Sequence, residues 1–147
     1  MDTILLSINP EYTERILDGT KKYEFRKRIA NKPVNKILMY STAPTMQVVG
    51  EVQVIETIST SPTALWELAK KFAGISHDMY KDYFKGCKIA YAYKLGEVTK
   101  YEQPKELVEF SIYQAPRSFV YISEGQSSEV VVEAPVRRSQ TIIADSI

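Results

Sequence analysis

Thirteen residues from Met46 to Ile58, MQVVGEVQVIETI, read as a single strand interrupted only by Gly50. Strands of globular proteins usually run about five or six residues, and a glycine inside such a run marks a bulge or sharp bend. A strand this long has to bend, and long bent strands are characteristic of small barrels. The pattern therefore predicts a curved β-architecture.

The rest of the chain fits around that strand. Thr3 to Ile8 and Lys36 to Ser41 are apolar runs of strand length, and Arg117 to Ile122 is another. Lys88 to Leu95 alternates, with Ile89, Tyr91, Tyr93 and Leu95 on one side and Ala90, Ala92 and Lys94 on the other. A turn is expected at Gly96, followed by a strand from Val98 to Gln103. Asn9-Pro10 supplies a cap and a proline at the first helical position, and Gly19 ends that helix after about two turns. Ser61 caps a second helix running through Phe72, whose apolar side is Leu65, Trp66, Leu68, Ala69 and Phe72. Ser76 caps a third that runs to Phe84 and is closed by Gly86. The class is α+β, with residues 1–122 as one domain. Residues 123–147 form a C-terminal tail with no obvious place in the core, either flexible or adding an edge strand at Val130 to Val132.

Charge is distributed unevenly. The chain carries a formal net charge of only +1, yet seven Lys or Arg lie between Lys21 and Lys36 against the single acid Glu24. Such a cluster points to an anionic ligand. No run approaches the roughly 20 apolar residues that span a bilayer, and MDTILLSINP has neither a basic leader nor a long apolar stretch, so a soluble, cytoplasmic protein is expected. Cys87 is the sole cysteine and His77 the sole histidine, which makes no zinc set. No metal or cofactor is expected.

Within the basic stretch, Tyr23 and Phe25 share one strand face and Lys22, Glu24 and Arg26 the other, so one face is expected to be buried and the other chemical. Glu24 and Arg26 pair across two positions, either as an ordinary surface ion pair or with Glu24 orienting a guanidinium that grips a phosphate or carbonyl oxygen. Lys21 lies at the helix-to-strand turn. It serves as a fixed cation for phosphate or, if desolvated, as an amine of lowered pKa.

The spacing Gly19, Lys21, Glu24, Arg26 after a short helix resembles the Gly-x-Lys-x-x-Glu-x-Arg motif of the ASCH family in the PUA-like superfamily. The blocks LSINPEYTERILDGTKKYEFRKR, KILMYSTAP, VVGEVQV, GISHDMYKDYFKG, KIAYAYKLG and QAPRSFVYI are similar in kind and order to one branch of it, over residues 3 to 122. The resemblance implies a PUA-like small, partly open β-barrel with short flanking helices, and a cleft that accepts RNA or a modified nucleoside or nucleotide. Related amidohydrolases that deacetylate acetylated cytidine use a motif Lys, a Thr three residues later and a distant Glu. Lys21 matches the Lys, but Glu24 stands where the Thr would be; Glu67 and Glu97 are both possible distant carboxylates, and the role is carried over to neither. Relatives described as ribonucleases use Tyr, Lys and Ser together, which nominates Lys21, Ser118 and a nearby tyrosine.

Further candidates are the hydroxyls of Tyr40, Ser41 and Thr42 at a loop rim and the polar set Gln114, Arg117 and Ser118 beside a strand start. Tyr83 is placed as a lid over the cleft. Turn chemistry accounts equally for the Ser and Thr groups, and most tyrosines read as core. Three functions follow: an RNA- or nucleotide-binding module using Lys21 and Arg26; a small metal-independent hydrolase, an amidohydrolase or ribonuclease, with Lys21 as catalytic amine and Glu24 as its proton partner; or a protein-interaction module recruited through the tail.

Overall fold

The computed structural model describes residues 2–122 and 144–147, so the expected edge strand at Val130 to Val132 lies outside the described residues. In chain order the elements are β1 (Asp2–Ile8), α1 (Pro10–Leu17), β2 (Tyr23–Arg26), β3 (Val34–Ser41), β4 (Gln47–Thr60), α2 (Pro62–Ala69), α3 (His77–Tyr83), β5 (Ala90–Lys105) and β6 (Phe119–Ile122). Ser61 and Ser76 cap their helices as expected, their hydroxyls accepting from the Ala64 and Met79 amides.

The strands form one six-stranded sheet in the order β2-β5-β4-β3-β1-β6. Among the described residues only the β1–β3 pair is parallel, and α1 and β2 lie between them in the chain. The mixed α+β class is as expected. Closure into a barrel is not seen, because no ladder joins the edge strands β2 and β6 among the described residues. Gly50 does mark a bulge: Met39 faces Gly50 but Tyr40 faces Val48, and a Cβ on Gly50 would lie 2.5 Å from the Thr99 carbonyl oxygen.

Two expectations fail for physical reasons. No turn forms at Gly96, and β5 runs unbroken past it. The register shifts between Val52 and Glu56 take up the irregularity on β4 instead, and Gly96 allows the close approach of Ile55. A lone glycine signals a turn or a bulge, and pairing with the long neighbour selected the second. Helix α2 stops at Ala69 and tightens into a single 3-10 turn, Lys70–Phe72. Leu65 and Ala69 are its buried pair, while Leu68 and Phe72 are exposed.

Alternation along the strands builds two cores. Ile4, Leu6 and Ile8 of β1 and Ile37 and Met39 of β3 pack beneath Tyr12 and Ile16 of α1, Leu65 and Ala69 of α2, and Tyr80 of α3. Leu5, Leu38, Tyr40 and Val48 point the opposite way, against Leu107, Phe110 and Val120. Phe25 ties β2 to α3 through edge-to-face contacts with Tyr80 at 5.1 Å and Phe84 at 6.3 Å, pairs worth about 0.5–1.5 kcal/mol each beyond burial.

The expectation that the tail has no place in the core fails for its last four residues. Ala144, Ser146 and Ile147 are buried, and the Phe25 amide donates to the Ile147 carbonyl oxygen at 3.0 Å. A free edge on β2 would expose unpaired backbone groups. This segment covers it.

Candidate functional site

The site begins where α1 ends. Asp18 closes the helix, Gly19 takes a φ of 89°, and the Asp18 carboxylate accepts from the Thr20 amide and hydroxyl. The Thr20 and Lys21 amides both donate to the Arg15 carbonyl. This locked turn drives Lys21 inward to 1% exposure. Its Nζ donates to the Ala73 carbonyl at 3.0 Å and lies 4.8 Å from the Phe25 ring centroid and 5.4 Å from that of Tyr12.

The floor under Lys21 is the stretch Phe72 to Gly74. The Phe72 carbonyl accepts from the Lys22 amide and the Gly74 carbonyl from Arg15 Nη1. Gly74 has a φ of 70°, and a Cβ there would sit 2.5 Å from Lys21 Cβ. Glycine is required at this position for both conformation and space. Gly74→Ala is expected to cost about 2–4 kcal/mol, summing strain and overpacking, as measured by urea denaturation, and to dislodge Lys21.

On β2 the expected division into a buried face and an open chemical face is overturned, since Glu24 and Arg26 are buried as well as Tyr23 and Phe25. Only Lys22, of the charged face, is exposed. Arg26 donates through Nη2 to the Ser7 carbonyl at 2.7 Å, through Nε to Glu24 Oε2 at 3.2 Å and through Nη1 to Ser118 Oγ at 3.4 Å. Among the described residues Glu24 Oε1 has no partner, and neither has Ser146 Oγ. The Ser146 hydroxyl stands close enough to help lower the Glu24 pKa without completing a hydrogen bond of ordinary geometry.

Burial works against both charges. Desolvation pulls Lys21 down to about 8, against the counteracting attraction of Glu24. It also pushes Glu24 above the usual carboxylate range, with Arg26 and Lys21 opposing. An amine of lowered pKa and a carboxylate of raised pKa thus share one water-poor site.

The other candidates divide. Ser118 joins the cluster through Arg26. Tyr83 comes to its edge, half-buried, its hydroxyl donating to the Asp145 carbonyl at 2.9 Å. Ser41 is buried and hydrogen-bonds Thr13 at 3.0 Å, which is a structural contact rather than an open rim. Thr42 is buried too, its hydroxyl donating to Asn9 Oδ1. Tyr40 is not at a rim either, because it is 3% exposed in the second core, on the strand face opposite Ser41. Gln114 and Arg117 are exposed, and among the described residues no hydrogen bond or ion pair joins either to Lys21, Glu24 or Arg26. Sequence reasoning missed Ser7, Asn9, Ala73 and the tail residues. Ser7, Asn9 and Ala73 act mainly through backbone groups or as clamps, and residue type signals neither. A cavity of about 340 Å³ lined by Trp66, His77, Tyr80 and Phe84 contains none of Lys21, Glu24 or Arg26. Among the described residues no three His, Cys, Asp or Glu side chains cluster as metal ligands, and no helix is long and apolar enough to cross a membrane.

An open mixed sheet with a buried Lys-Glu-Arg cluster at the turn after its first helix defines a small α+β domain with one polar, desolvated centre. The chain belongs to the ASCH domain family, whose model matches residues 6–132. It is similar to an ASCH domain-containing ribonuclease of Zymomonas mobilis, 27% identical over 86% of this chain and 88% of that one. The crystal structure of ASCH from Zymomonas mobilis superposes with a TM-score of 0.76 at 26% identity, covering 84% of this chain and 89% of the other. The chain is also similar to two Ureaplasma parvum proteins, named ATP synthase subunit alpha (33% identical) and large ribosomal subunit protein uL22 (30%). Each match takes in 82% of this chain but only 15% and 39% of those proteins.

Proposed function

We propose that residues 1–122 form a PUA-like domain that binds RNA, or a modified nucleotide, at the Lys21-Glu24-Arg26 centre. The carrying observation is the centre itself: two cations and a carboxylate at 1–2% exposure, with Glu24 Oε1 left without a partner among the described residues. Burying charge is costly unless it is fully paired, so an unfinished buried cluster supports a ligand that completes it. Arg26 and Lys21 neutralise a phosphate, and Glu24 accepts from a base amino group or a hydroxyl. Exposed Lys22, Lys27, Arg28 and Lys32 extend the basic rim, with Lys22 over Phe72 and Lys27 over Tyr83. That mixture of cations and ring faces suits a single strand. The family and the ribonuclease name of the Zymomonas relative support RNA as the ligand class.

A second reading is favoured by one observation, the pKa of Lys21 near 8. An amine that is partly neutral near pH 7 can take a proton, so the same centre serves as a metal-independent hydrolase of RNA or an acylated nucleoside. Incubating wild type and Lys21→Ala with short RNAs and modified nucleosides, followed by mass spectrometry, separates the two readings. Retention that weakens with salt, without conversion, is the binding result. Conversion that persists in EDTA and is lost in Lys21→Ala is the hydrolase result. Retention insensitive to salt and to Lys21→Ala with Arg26→Ala rejects both.

A further inference from the structure

The Lys21-Glu24-Arg26 centre is closed, and part of what closes it is the chain's own tail. Four residues, Ala144 to Ile147, lie against it, although 21 residues separate them from the end of β6. Asn9 clamps the backbone of Ala144 twice, its Oδ1 accepting from the amide at 3.0 Å and its Nδ2 donating to the carbonyl at 3.2 Å. Tyr83 donates to the Asp145 carbonyl at 2.9 Å. Ile147 exchanges bonds with Phe25, the residue between Glu24 and Arg26, at 3.0 Å and a long 3.5 Å. Ser146 faces Glu24 from a position 4% exposed.

We propose that residues 144–147 are a reversible strap that occupies the ligand cleft in cis and must leave before RNA or a nucleotide reaches Lys21, Glu24 and Arg26. The proposal rests on the reading of that centre as the ligand site. Almost every bond holding the strap goes to its backbone, so it is held as an extra edge segment on β2 rather than by matched side chains. Where a side chain does enter, the fit is incomplete. Glu24 Oε1 and Ser146 Oγ are the buried side-chain atoms left without partners among the described residues, and Ser146 stands close enough to Glu24 to help lower its pKa. Such a contact is weak by itself, and being part of the same chain makes its seating intramolecular. A ligand that pairs with Glu24 makes the bond the strap does not. Tyr83, expected as a lid, instead latches the strap.

The test compares the full chain with Ser146→Phe, whose side chain is too large for the seat and adds no charge, and with a chain ending at residue 143. Amide hydrogen exchange at Phe25 reads the seat without any ligand, and retention of a short single-stranded RNA reads access. Both variants are expected to exchange Phe25 at least about tenfold faster and to retain RNA about tenfold more tightly, as for a strap seated in about nine molecules of ten. Unchanged exchange at Phe25 overturns the strap. So does faster exchange with RNA retention equal in all three proteins, which makes the segment a seated but ungating edge. Faster exchange with no RNA retained by any of the three rejects RNA as the ligand and upholds the strap on its seat.

Discussion

Arg26→Met is expected to destabilise the protein by about 3–5 kcal/mol, the cost of breaking a buried ion pair by removing one partner. For a chain of this size that lowers Tm by roughly 10 °C or more. The guanidinium is 2% exposed and serves three acceptors: the Ser7 carbonyl on β1, Glu24 on its own strand and Ser118 beside β6. It therefore bridges β2 to β1 and to the entry of β6, joining the two ends of an open sheet that no ladder connects among the described residues. Methionine fills much of the volume but leaves a buried carboxylate with only Lys21 to offset it and the Ser7 carbonyl without this donor. Adding Glu24→Gln to Arg26→Met removes the stranded charge, and the double variant is expected to recover about 1–3 kcal/mol relative to Arg26→Met. Additive losses in thermal denaturation would mean that the two side chains are not coupled and that the pair is not the site's structural hub.

The motif spacing and the capped helices made much of this centre legible in the sequence. Pro10 at the first helical position, Gly19 and the Tyr23-Phe25 alternation place Lys21, Glu24 and Arg26 within a few residues of their observed positions, because helix ends and strand period are local properties, although the Asn9 side chain makes no cap bond to α1 and turns to Ala144 instead. Burial of the charged face was not legible. Charged alternation normally marks solvent, and only long-range contacts to Ser7, Ser118 and Ala73 reverse that. Gly96 illustrates the same limit, since a turn and a bulge share one residue signal and the partner strand decides between them. Tyr40 and Ser41 are adjacent in sequence yet point to opposite faces of β3, so no single expectation could suit both. The tail was the largest omission. Its polar composition suggests a free segment, and backbone-directed bonds to Asn9, Tyr83 and Phe25 leave no trace in residue type.

Lys21→Met is expected to separate function from stability. Loss of the amine removes the centre's only candidate base of lowered pKa and one of its two cations, so any turnover falls by about 10²–10⁴-fold. Stability moves differently. The folded-state pKa of Lys21 is about 8 against an ordinary 10.5, so between those values the unfolded chain binds more protons and stability rises with pH. Below about 8 the full cost of burying the charged amine, about 3 kcal/mol, is present. Methionine abolishes that cost but orphans the Ala73 carbonyl, worth about 1–3 kcal/mol. The net change near pH 7 is therefore small, and the informative quantity is the slope. Wild type should gain about 2 kcal/mol between roughly pH 7.5 and 9.5, and Lys21→Met should not. The window ends there because burial raises the pKa of Tyr12, Tyr80, Tyr83 and Tyr93, whose unfolded-state ionisation near 10 then draws stability down in both proteins. Glu24, also raised, loses its favourable contribution as pH climbs, and without Lys21, one of the charges holding its pKa down, it is raised further in the variant, which widens the difference between the two slopes. Equal slopes in urea unfolding at these pH values would show that Lys21 remains an ordinary ammonium group, leaving the hydrolase reading without its base.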